Sequence, residues 1–324
     1  MNTEVSPQLE DLRLFSQVAR HPSFASAART LGVSKALISK RIGLLEAALQ
    51  VRLFHRSTRR VTLTAQGEIV LQGARRVAEE VDLLGEALSQ ERATVTGLLR
   101  LCSSTGFGSR HLGPALSALA ERHPGLELQL ELLDRPVDLA EEGFQLDIRV
   151  GQVREGHLIA RRIAGNRRIL CASPDYLARH GRPGTLEDLR QHRCIPIRER
   201  DQDFGRWDLQ GPQGLATVRV SGPLSANHGG VVRQWALAGH GIILRSTWDV
   251  REDLAAGRLV QVLPDHHQPA DVWAVCPSRL SASARVRVCV DFLVDWFARA
   301  GLEPLAPSVG TSGFVGAGHR SATC

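Results

Sequence analysis

Two sets of side chains in this sequence have the types and spacing of binding chemistry. The first is basic. Ser34, Lys35, Ala36, Ser39, Lys40 and Arg41 occupy the first two turns of an amphipathic helix, and Arg56, Arg59 and Arg60 follow on the tip of a short hairpin. Lysine and arginine so placed reach phosphates or an adjacent minor groove, and a polar helix face enters a major groove, so double-stranded DNA is the expected partner. The second set suits an anion. Ser103, Ser104 and Thr105 lie directly after a strand and ahead of a helix, where hydroxyls and unpaired backbone N–H groups meet the positive end of the helix dipole. Phosphate and carboxylate fit equally well there, and ordinary N-capping would need only one of these hydroxyls. Asn227 and His228 repeat the arrangement ahead of a later helix. Arg149 and Arg245 end two strands facing the same gap, with Arg198 a weaker candidate; such a guanidinium either grips a carboxylate bidentately or forms an ion pair.

Nothing comparable points to catalysis. The twelve histidines are dispersed, and neither His266-His267 nor His192-x-Cys194 has partners at metal-ligand spacing. No G-x-x-x-x-G-K-[ST] and no G-x-S-x-G occurs, so no cofactor, metal or enzymatic role is expected. Six cysteines without a C-x-x-C pair read as reduced, mostly buried thiols; a redox pair would need the fold to bring two together.

The elements that position the basic set are helical. Ser6-Pro7 opens a first helix carrying Leu9, Leu12, Phe15, Val18 and Ala19, which His21-Pro22 stops near Arg20. Ser23 caps a second, ended by Gly32; Ser34 caps a third, whose core face is Leu37 or Ile38 with Ile42, Leu45 and Leu49. Two short helices about a glycine turn make a helix-turn-helix, and Leu53 to Thr64 reads as a wing. A long helix follows. Val70, Val77, Val81, Leu84 and Leu88, with Ala74 between, form a heptad seam that pairs with a second copy or packs on its own domain. Beyond Arg92 strands and helices alternate, which predicts an α/β region with a mainly parallel sheet, in two units with a cleft between them.

Charge and length agree with this division. At 324 residues, two or three domains are expected. Residues 1–64 hold ten basic against four acidic side chains, and the remainder is balanced, so the whole net charge of +6 lies where a polyanion would bind. No apolar run approaches a spanning helix, and Met1 to Asp11 has no basic segment leading into an apolar one; the expected place is the cytoplasm, away from any membrane.

Leu14 to Gly67 resembles the LysR-type transcriptional regulators. The resemblance rests on Leu14-Phe15, Ser23-Phe24-x-x-Ala27-Ala28-x-x-Leu31, Val33-Ser34-x-x-x-x-Ser39-Lys40-x-Ile42-x-x-Leu45-Glu46, Leu53-Phe54-x-Arg56 and Leu63-Thr64-x-x-Gly67. Two positions depart from it: Lys35 stands where the family commonly has Gln, and Gln50 where it has Gly. The resemblance implies a winged helix-turn-helix over 1–64 and a linker helix over 65–92 that dimerises; an antiparallel pairing would set two helix-turn-helix modules apart for a two-fold DNA site. It further implies a two-lobed effector domain over 93–303 that looks like a periplasmic binding protein. Lobe I would cover about 93–166 and 269–303 and lobe II about 167–268; residues 304–324, mainly small, Pro, Gly, Ser and Thr, read by composition as a disordered tail. The stretch from Ala238 to Trp248 and the strand Trp273-Ala274-Val275 are similar to the branch of tartrate and malate regulators. That implies a small organic acid, hydroxy- or dicarboxylic, as effector in a homodimer or homotetramer on promoter DNA. The rival expectation is a small-molecule binding protein or enzyme in which the helix-turn-helix is an accessory.

Overall fold

Local capping chemistry sets the first three helices. Helix α1 (Leu9–Val18) is followed by α2 (Phe24–Leu31), where Ser23 Oγ accepts from the Ser26 N–H and Gly32 turns the chain at φ 66°. Helix α3 (Lys35–Leu49) starts at Ser34, whose Oγ accepts from the Leu37 N–H, and ends at Gln50 with φ 54°. That left-handed value is one a glycine takes without strain, which is the physical cost of glutamine at this site. Phe15, Phe24 and Phe54 meet edge to face at 5.3 and 5.4 Å and anchor the core of these helices. The wing's two arms are joined by the antiparallel bridge Phe54↔Leu63. Helix α4 (Ala65–Leu88) then runs for 24 residues, about 36 Å.

The computed structural model describes residues 6–55, 61–88, 95–153, 155–198, 203–281, 283–301 and 315–316. The chain falls into two units, the first Met1–Arg92 with Glu141–Gly143, the second Ala93–Ala140 with Phe144–Cys324. The wing tip with Arg56, Arg59 and Arg60 lies outside the described residues, as does the tail except Val315–Gly316.

In the second unit, one sheet takes β1 (Gly97–Ser103), β2 (Leu126–Leu132), β3 (Leu146–Val150) and β4 (Leu158–Ala164). The helical run between β1 and β2 has three parts: α5 (Thr105–Phe107), a π-helical turn Gly108–Leu112, and α6 (Gly113–Arg122). The short α7 (Leu139–Glu142) precedes β3. The chain then crosses to a second sheet. It contains β5 (Arg167–Ala172), β6 (Arg206–Gly211), β7 (Gly214–Arg219) and β8 (Ile243–Ser246), with helices α8 (Pro174–His180), α9 (Gly229–Leu237) and α10 (Thr247–Ala255). Two short strands, β9 (Val260–Gln261) and β10 (His267–Pro269), complete it. The chain returns through β11 (Val272–Pro277) and α11 (Ala284–Arg299), and β12 (Val315–Gly316) pairs on β4.

The two lobes differ in strand direction. The first sheet, ordered β12-β4-β11-β3-β1-β2, is parallel only where β1 meets β2 and β3. In the second, every described ladder is antiparallel, and parallel pairing survives as the isolated bridges Cys194↔Ile242 and Ile197↔Ala226. The expected mainly parallel sheet is thus corrected. A hairpin (β6 to β7) and two crossing strands supply the neighbours that helix crossovers would supply in a parallel sheet. Asn166 fastens the crossings together: its backbone carbonyl accepts from the Ala270 N–H at 3.0 Å, and its Nδ2 donates to Ala270 O at 2.8 Å and to Ser246 Oγ at 3.0 Å.

Five cysteines, Cys102, Cys171, Cys194, Cys276 and Cys289, are buried thiols outside any disulfide. Burial pushes Cys171, Cys194, Cys276 and Cys289 up to about 12, so each is a thiol and a poor nucleophile at neutral pH. Native protein treated with a maleimide at pH 8 is expected to show no label on these five in peptide mapping, and label at each after denaturation. Native labelling at Cys171 or Cys289 would contradict the buried core.

Candidate nucleic-acid interface and ligand cleft

On α3 the core positions are Ile38, Ile42 and Leu45, all buried. At 100° per residue, Ala36 and Lys40 stand opposite that face, and Lys35 and Ser39 lie toward one edge. All four are exposed. Two members of the set have partners within the domain. Arg41, its side chain still 35% exposed, has its Nε 2.5 Å from the Asp11 carboxylate of α1, so it braces the domain as well. The Ser34 hydroxyl is engaged in capping. Leu37, one of two candidates for the core, is on the outside.

The heptad seam divides. Leu71 and Ala74 are buried in the helix-turn-helix core and Val70 packs against it, so the first turns of α4 belong to their own domain. Further along, Val77, Val81 and Leu84 form one stripe that is 45%, 40% and 62% exposed. The Leu88 side chain lies outside the described residues.

The second site is a cavity of about 330 Å³ between the lobes. Lobe I contributes Ser104, Gly106, Asp134 and Arg149; lobe II contributes Arg168, Arg206, Arg245, Trp248 and Gln268. Ser103 is corrected: it is fully buried, and its Oγ donates to Ile148 O at 2.7 Å because β1 is an inner strand beside β3. Ser104 is on the wall, but the Thr105 N–H, a donor expected to face an anion, is taken by Asp134 Oδ1 at 2.9 Å. Thr105 itself is not on the wall. Asn227 is exposed and His228 half-buried, and neither is on the wall; their neighbour Gly229, at the start of α9, is.

Each buried arginine has a built environment. Arg149 donates to Asp147 Oδ2 at 3.1 Å and to both Glu155 oxygens at 2.7 and 2.8 Å. Burial works against its charge, and these two carboxylates outweigh it and raise its pKa. It is therefore an ion-paired strut that also borders the cavity, the alternative left open by its sequence position. Arg245 is held by Asp249 at 2.8 and 2.9 Å. Its guanidinium lies so close over α9 that a Cβ at Gly229 would come within 2.0 Å of Nη2, so a side chain there would have to displace the arginine. Arg168, which the sequence reading passed over, is buried and donates to Gln268 Oε1 at 2.7 Å. The signal for it was its place on the inward-facing alternation of the strand, next to Ile169-Leu170-Cys171, while its neighbour Arg167 is exposed. Trp248 packs against Phe107 and His111 of the opposite lobe, with ring centres 5.6 and 5.0 Å apart. Burial, with Arg110 beside it, lowers the His111 pKa, which favours the neutral ring. Among the described residues no group of His, Cys, Asp and Glu could hold a metal ion, and no helix is long and apolar enough to cross a membrane.

Both parts of the chain have known counterparts. Residues 9–68 match the bacterial regulatory helix-turn-helix protein of the lysR family, and residues 92–298 match the LysR substrate binding domain. The chain belongs to the LysR family. It is 52% identical over 292 residues to the HTH-type transcriptional regulator DmlR of Escherichia coli K12, covering 90% of this chain and 95% of that relative. Against the HTH-type transcriptional activator TtdR of the same strain it is 40% identical over 290 residues, covering 90% and 94%. The full-length structure of AphB, the Vibrio cholerae virulence activator, shares 30% identity at a TM-score of 0.54, covering 89% of this chain and 99% of that one. For CrgA from Neisseria meningitidis the values are 29% and 0.54, with 88% and 97% covered. This LysR chain is thus a DNA-binding transcriptional regulator with a substrate-binding domain.

Proposed function

We propose that the chain controls promoters in the cytoplasm as a homodimer that pairs further into a tetramer, and that its effector is a small organic acid bound between the lobes. The observation that carries the effector reading is the pair of buried arginines, Arg168 and Arg245, bordering one cavity with Ser104, Gln268 and the start of α9. Guanidinium groups held in place by neighbours are suited to a carboxylate, and the hydroxyl and amides beside them suit a hydroxyl-bearing acid. Resemblance to regulators of tartrate and malate use supports hydroxy- and dicarboxylic acids in particular. A ligand touching both lobes favours one arrangement of the hinge, and shifts regulation by its difference in affinity between arrangements. The test is a thermal-shift screen of such acids beside their methyl esters. Acids should raise Tm and esters should not; equal shifts, or none with any acid, would remove the carboxylate reading.

On DNA, the proposed contacts are Lys35, Ala36, Ser39 and Lys40 of α3, with Arg56, Arg59 and Arg60 of the wing. Lysine is a flexible point charge suited to guanine or phosphate, whereas glutamine reads adenine bidentately. Lys35→Gln is therefore expected to change the sequence selected from a random library, while Lys40→Ala weakens binding. An unchanged selected motif in Lys35→Gln would take Lys35 out of base readout.

A further inference from the structure

The outward surface of α3 carries an apolar side chain that phosphate binding does not use. Leu37 is 45% exposed, while its neighbour Ile38 is fully buried and fills the core position. Leu37 lies in the first turn, its N–H held by the Ser34 cap at 3.1 Å, so the place of this side chain is set by the helix start. Exposed Ala36 and Lys40 lie one position before it and three after it, and exposed Lys35 stands across the helix from it. A helix with these cations meets a polyanion, and the edges that a major groove presents are donors and acceptors with one apolar exception, the thymine 5-methyl group. Packing a leucine on that methyl buries apolar surface on both sides. Packing it on a cytosine or purine edge strips water from polar atoms and gives them no partner. We infer that Leu37 is a specificity-determining residue of the DNA interface and reads a thymine by its methyl group. The inference rests on the placement of α3 in the major groove proposed above.

Leu44, seven residues later, is equally exposed on the same side, about 10 Å farther along the helix and beyond the turns that reach base edges. If Leu37 and Leu44 together docked a second copy of the chain, Leu37 would have no thymine to read, and the experiment separates the two.

Full-length protein is used to select an operator from a random library. Each thymine of that operator is then replaced singly by deoxyuridine, which removes the methyl and leaves every hydrogen-bonding group. The expected result is one thymine per half-site at which deoxyuridine weakens the parent protein about fourfold, the worth of one methyl group. Leu37→Ala should bind the operator more weakly and show no penalty at that position. Alanine is a better helix former and the site is half exposed, so an unchanged Tm checks the fold. No methyl-dependent thymine, or the same penalty in Leu37→Ala, overturns the inference while leaving the placement of α3 intact. A deoxyuridine profile that stays the same while Leu37→Ala changes the sedimentation coefficient assigns Leu37 to docking and overturns it too. Failure of the parent protein to select any sequence would overturn the placement of α3 and this inference together.

Discussion

Val81→Asp is expected to sediment as a monomer under conditions in which the parent chain sediments as a dimer or larger. Val77, Val81 and Leu84 form an apolar stripe on α4 that the described residues leave 40–62% exposed, although Val70, Leu71 and Ala74 of the same helix are packed. A second copy covering the stripe about a two-fold axis places both Val81 side chains in the interface. Each aspartate then loses its water without gaining a partner, at a cost of several kcal/mol per protomer. At 1.4 kcal/mol for each tenfold change, the dimer constant weakens about a thousandfold or more. Folding of the domain should be untouched, because Val81 is 40% exposed in the single chain. DNA binding should fall back to half-site affinity. Analytical ultracentrifugation decides the matter: an unaltered sedimentation coefficient would mean that the stripe is not the interface.

Arg245→Gln should lose the effector response and keep DNA binding. Arg245 is 3% exposed, lies on the cavity wall and is pinned by Asp249 against the start of α9. A carboxylate ligand bound there would lose a buried, charge-assisted contact worth about 2–5 kcal/mol, thirtyfold or more in affinity. Asp249 would keep Arg110 Nη1 at 3.3 Å but lose its closer partner, so part of any effect comes from the protein itself. The double variant Arg245→Gln with Asp249→Asn removes that part by making the pair neutral. Calorimetric titration with an acid that raises Tm should show lost binding in both variants. Binding restored in the double variant would make Arg245 a support for Asp249 and not an anchor for ligand.

The helix-turn-helix was legible because its boundaries depend on contacts three or four residues apart. Ser23 and Ser34 satisfy N–H groups three positions on, and Gly32 takes a left-handed turn that few other residues take. The run of basic residues over the same stretch needed only counting. Even there one choice was out of reach. Leu37 and Ile38 are adjacent and apolar, the helical period accommodates either in the core, and only the packing of α3 within its domain sends Ile38 inward and Leu37 outward.

In the second unit the sequence determined the alternation of elements and the two lobes, which follow from local hydrophobic period and turn residues, while the strand before Ser104 runs one residue farther than expected, through Ser103. Tertiary structure decided which polar groups face the cavity. Ser103 meets a carbonyl 45 residues away and Arg168 an amide 100 residues away, while Asp134 claims the Thr105 N–H from 29 residues on. Arg149 and Arg245 have nearby carboxylates in sequence, yet whether a guanidinium turns to them or to a ligand depends on how strands and helices converge around it. Strand direction belongs to the same class, since an apolar strand reads alike in either orientation and its neighbour is chosen by the crossings at Asn166 and Ala270. A side chain's type and spacing show what it is able to bind; its burial and its partners are set by chain segments far away in sequence, because desolvation makes every buried polar group depend on whichever segment the fold brings to it.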